Sequence, residues 1–142
     1  MKRAIVRVTG IVVFVAAFFL PAVRTAGSGT GTAPFVGWVC AVSALMATAG
    51  LLHLGQALQG KDAVGAISLM FSGWVNPLVL LYLVFCIRSS WARVRHGLAA
   101  AILLCLLATW VFLFKAPMTP QVGHFLWVAG ILAILGAEFV KG

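Results

Sequence analysis

His53 and His124 are the residues with most chemistry to offer in this chain. Two neutral imidazoles held at one depth on different membrane helices are what a b-type haem requires of a protein. The spacing allows it. His53 falls about one turn before the end of one apolar segment and His124 about one turn into another, and an odd number of reversals places both in the same leaflet. No neighbouring Cys or carboxylate accompanies the pair to complete a metal site. The plainer reading has each histidine reaching headgroups or a backbone carbonyl, so the expectation is no cofactor, haem b being the alternative, and no bound metal. His96, close to Arg88, Arg93 and Arg95, reads as solvated or lipid-facing.

Asn76 is the only Asn, and it precedes Pro77 inside an apolar run. Pro77 cannot donate to the carbonyl of Gly73 and its ring crowds that turn, which predicts a kink. Asn76 could serve the freed backbone groups. At helical spacing Gly65, Ser68, Ser72 and Asn76 share one stripe, which in lipid reads as a packing face with hydrogen bonds across it. A ligand site at a broken helix is the alternative for Ser72, Asn76 and Pro77. No ionisable group lies beside them, and the two acidic residues, Asp62 and Glu138, fall near predicted helix ends. Proton or cation carriers usually keep an acid within the membrane. Cys40, Cys86 and Cys105 form no CxxC pair, which argues against thiol–disulfide exchange. Cys40 and Cys86 fall at one membrane face, where a disulfide would form only in an oxidising compartment; otherwise they are small packing residues. With no catalytic constellation, a non-enzyme is expected.

The elements that position these residues follow from the solvent the composition demands. Of 142 residues, 63% are hydrophobic and 8% charged, with a mean hydropathy of +1.15. A water-soluble domain carries roughly 25% charged residues, so the solvent is lipid. Uncharged runs separated by Lys, Arg and the two acids predict helices near Ala4 to Ala22, Phe35 to Leu58, Val64 to Ile87, Gly97 to Phe114 and Val122 to Val140. Apolarity on all sides of each segment favours an all-α transmembrane bundle of about five spans over a barrel. We read residues 1–142 as a single polytopic membrane domain. The first segment also resembles a signal peptide with a small-residue site at Ala26-Gly27-Ser28, and its cleavage would leave four spans; retention is the preferred reading. Five spans put five basic residues on each side, so the positive-inside rule ties, and the Lys2, Arg3, Arg7 cluster favours N-terminus in, C-terminus out.

On the fifth segment His124, Ile131 and Glu138 make one stripe, and Ala129, Ala133 and Ala137, with Gly136 beside them, a small-residue stripe opposite. Small residues permit close helix approach, so the second stripe suggests packing within the chain, a homo-oligomer, or docking on a larger membrane complex. Trp38, Trp91, Trp110 and Trp127 fall near predicted helix ends and read as an interfacial belt. The formal charge of +8 is scattered over termini and loops, which suits anionic headgroups of the lipid bilayer and no nucleic acid.

Gly37-Trp38-Val39-Cys40, Trp74-Val75-Asn76-Pro77-Leu78 and Pro120-Gln121-Val122-Gly123-His124-Phe125-Leu126-Trp127 together resemble motifs of uncharacterised small multi-span inner membrane proteins of bacteria. The resemblance implies a multi-pass protein of the cell inner membrane and brings no catalytic residues. The expected function is that of an accessory, regulatory or immunity-type subunit acting through helix contacts. The alternative is a small-ligand carrier or haem-binding redox protein with a site between the second, third and fifth segments.

Overall fold

A computed structural model describes residues 2–25, 34–49, 63–87, 91–116 and 118–140. The described chain is mostly helical and falls into two compact units, Met1–Cys40 with Met118–Gly142, and Ala41–Pro117. His53, Asp62, Arg88 and the Ala26-Gly27-Ser28 site lie outside the described residues.

The first unit is built on α1 (Lys2–Ala17) and a C-terminal helix, α6 (Val122–Gly136), which ends in a 3-10 turn over Ala137–Phe139. Helix α1 stops short of the expected Ala22. Its last amides, Phe18 to Leu20, bond three residues back, to Val15, Ala16 and Ala17, and Pro21 disfavours helical backbone at the residue before it. The chain then turns into β1 (Pro21–Thr25), which lies between β2 (Phe35–Val36) and β3 (Met118–Pro120). Both pairings are antiparallel, with Val23 opposite Phe35 on one side and Pro120 on the other. This small sheet is absent from the all-helical expectation.

The start of α2 (Gly37–Ala49) is fastened to the end of α1, because the Gly37 and Trp38 amides donate to the carbonyls of Leu20 and Phe18 at 3.0 and 2.9 Å. In the second unit α3 (Ala63–Gly73) and α4 (Val75–Phe85) pack against α5 (Ala92–Lys115). Val75, Val79 and Tyr82 of α4 and Ile102, Cys105, Leu106 and Leu113 of α5 are buried. The Phe85 and Trp91 rings, 5.0 Å apart, close the connection between these two helices.

Three stretches are long and apolar enough to cross a membrane: Ala63–Phe85, Ala92–Lys115 and Val122–Phe139. Five spans were expected. Helix α1, at 16 residues, extends about 24 Å against a hydrocarbon thickness of about 30 Å, and the apolar part of α2 covers only Gly37–Met46. The outward faces agree with lipid. On α1, Ile5, Val8, Val12 and Val15 are exposed; on α5, Leu104, Leu107, Val111 and Phe114; on α6, Val122, Phe125, Leu132 and Phe139. Water would penalise such surfaces at about 25 cal/mol per Å²; hydrocarbon does not.

Candidate functional site

Close packing of α1 and α6 begins with residues that have no side chain. Helices approach only as near as their Cβ atoms permit, so glycine at the crossing brings the backbones together. A Cβ on Gly130 would lie 2.6 Å from the Phe14 nitrogen, and one on Gly10 would lie 2.9 Å from the Ile134 nitrogen. Both obstacles are main-chain atoms and cannot move aside. Further along α6, a Cβ on Gly123 would meet the Pro21 carbonyl oxygen at 2.6 Å. Around the crossing Phe14 and Ala17 of α1 and Ile131, Ile134 and Ala137 of α6 are buried.

The two helices run antiparallel, since the N-terminal turns of α1 meet the last turn of α6. There Arg7 donates from Nη2 to Glu138 Oε1 at 2.9 Å, and Arg3 pairs with Oε2 of the same carboxylate. Glu138 is largely buried, whereas Arg3 keeps 40% of its side chain exposed. The pairing explains why an acid sits in the last turn of a helix, where the macrodipole alone would disfavour it. At the other end the Gln121 amide donates to the Ala22 carbonyl at 2.8 Å, joining β1 to the start of α6.

Of the residues singled out by sequence, His124 is buried on α6, with its ring 5.5 Å from that of Trp127 and 6.2 Å from that of Phe125. Its expected partner His53 lies outside the described residues. The stripe His124, Ile131, Glu138 does face inward. Of the alanine stripe only Ala137 is buried; Ala129 is exposed and Ala133 half-buried, and the close contact uses Gly123, Gly130 and Ala137. These three recur every seven residues. So do Arg3, Gly10 and Ala17 on α1, with Arg7 and Phe14 between them. That shared period of seven was the available signal, and it was missed because the small-residue stripe was drawn through Ala129, Ala133 and Gly136 and not through Gly123 and Gly130.

In the second unit Gly65, Ser68 and Ser72 are buried as the stripe predicts, and Asn76 is half-buried. The hydrogen bond of Ser72, however, stays within its own helix, from Oγ to the Leu69 carbonyl at 2.9 Å. Helical bonding is interrupted at Trp74, whose amide bonds three residues back to Phe71, and resumes with Leu78 donating to the Trp74 carbonyl. Pro77 therefore stands in the first turn of α4, where a missing N–H costs nothing. Among the described residues no disulfide joins Cys40, Cys86 or Cys105. Among the described residues no three His, Cys, Asp or Glu side chains gather as metal ligands would.

No family model, curated protein or solved structure matches this chain.

Proposed function

We propose that the protein is a non-enzymatic, multi-pass inner membrane subunit that acts through helix contacts, in an accessory, regulatory or immunity-type role. The observation that carries this reading is the backbone-to-backbone crossing of α1 and α6 at Gly10 and Gly130, flanked by outward apolar faces on both helices. The chain invests its small residues in a rigid internal pair and presents the rest to lipid or to a partner's helices.

The same pair supports a definite topology. With α6 crossing the bilayer, Arg3, Arg7 and Glu138 mark one face and the β-sheet the other. Within this unit Lys2, Arg3 and Arg7 lie at one face and Arg24 at the other, and that excess of basic side chains supports a cytoplasmic N-terminus.

Co-purification in mild detergent tests the subunit role. A stoichiometric membrane partner, or a homo-oligomer dissociated by bulky substitutions on an outward face such as Leu104→Trp, supports it. A monomer that purifies alone with a visible haem band lost in His124→Ala would replace it with the redox reading.

A further inference from the structure

Two guanidinium groups share one carboxylate at the Lys2 end of α1. Arg3 and Arg7 are four residues apart on one helix face, a like-charge spacing that repels when uncompensated. Glu138 offsets one charge. Among the described residues Glu138 is the only acid, and the first turn of α1 contains no acidic residue. Lys2 adds a further positive charge beside them. Each guanidinium has five N–H donors, and the Glu138 oxygens engage only part of that set. The Nε atoms of both arginines are buried without an acceptor, so the protein itself leaves the charge incompletely balanced. Arg3 is accessible from outside, being 40% exposed.

The depth of this cluster is fixed by its neighbours. It lies at the end of the apolar stretch Val122–Phe139, and Phe139, one residue beyond Glu138, is 83% exposed. That is headgroup level, where phosphate esters are the abundant anions. The first amides of α1 also point outward at this end, adding the positive end of a helix dipole.

We propose that Arg3, supported by Arg7 and Lys2, binds a phosphate monoanion at this membrane face, Glu138 offsetting only part of the charge that attracts it. The chemistry is a charge-assisted, fork-shaped contact from guanidinium to two phosphate oxygens. The anion is either the phosphodiester of an anionic lipid headgroup or a free phosphate. The proposal rests on the membrane reading of α6 and not on the subunit role, so a protein that purifies alone leaves it standing.

The test uses the full chain in neutral detergent and in nanodiscs of phosphatidylcholine with or without phosphatidylglycerol, reading retained lipid by native mass spectrometry and unfolding temperature by light scattering. Preferential retention of phosphatidylglycerol, with a higher unfolding temperature, identifies the lipid source. Stabilisation by millimolar inorganic phosphate without lipid preference identifies the free anion. Arg3→Gln lowers whichever effect is seen about tenfold, the loss of one hydrogen bond to a charged group, while Arg24→Gln at the opposite face leaves it unchanged. Glu138→Gln keeps both guanidinium groups and removes their carboxylate, so anion retention by the folded variant is maintained or increased. Equal behaviour with and without both anions, an equal loss in Arg24→Gln, or disappearance of the effect in folded Glu138→Gln would overturn the proposal.

Discussion

Gly10, Gly123 and Gly130 decide what can touch what along the first unit's helix pair, and the contrast between occupied and open glycines gives a direct test. Gly130 and Gly10 face main-chain atoms, whereas a Cβ on Gly97 or Gly136 would meet nothing within 4 Å. Gly130→Ala is therefore expected to cost about 1–3 kcal/mol through forced separation of the backbones. Gly97→Ala, inside α5, should be neutral or stabilising by up to about 1 kcal/mol from helix propensity. Reversible unfolding in mixed micelles measures both, and equal effects would show that the crossing does not depend on glycine. Glu138→Gln is expected to cost about 1–2 kcal/mol, a value that exposure of Arg3 keeps modest; an undiminished unfolding midpoint would remove the ion pairs from the account. Sequence alone revealed the inward stripe of His124, Ile131 and Glu138 but not the partners of Glu138. The reason is physical: Arg3 and Arg7 are more than 130 positions away, and in a chain with ten basic residues and two acids charge counting cannot say which cation meets which anion.

The helical elements were legible because lipid demands long apolar runs, and their ends were legible only where a backbone rule applied. Pro21 ends α1 four residues after Ala17, and Pro77 goes with the interruption at Trp74, yet the expected first helix ran through Pro21 because apolarity continued past it. The strands escaped notice since β2 and β3, at two and three residues, are too short to carry an alternating pattern. On α3 and α4 the polar stripe separates into two cases. Ser72 bonds its own helix at Leu69, so Ser72→Ala should change stability by less than about 0.5 kcal/mol. Asn76→Leu, beside the interruption, should cost about 1 kcal/mol, the scale of polar contacts between membrane helices. The same micelle unfolding measurement separates them, and a Ser72→Ala loss exceeding that of Asn76→Leu would contradict this division.

At the scale of the whole molecule, the membrane class was evident from composition, whereas the topology was not. Reading Phe35 to Leu58 as a crossing helix gave an even split of basic residues, and part of that segment lies outside the described residues. The antiparallel α1 and α6 are tied through Glu138 at one end and through Gly123 and Gln121 at the other, which sets Lys2, Arg3 and Arg7 at the end opposite Arg24. Function was less legible still, because packing by glycine and lipid-facing leucine is the same physics whatever the protein serves. The antiparallel pair is the central claim, and sidedness tests it most directly. In a background with Cys40, Cys86 and Cys105 replaced, single cysteines at Lys2, Phe139 and Thr25 are exposed to a membrane-impermeant thiol reagent in intact cells and again after permeabilisation. The account predicts that Thr25→Cys is labelled in intact cells and that Lys2→Cys and Phe139→Cys are labelled only after permeabilisation; labelling of Lys2→Cys and Phe139→Cys from opposite sides would contradict it.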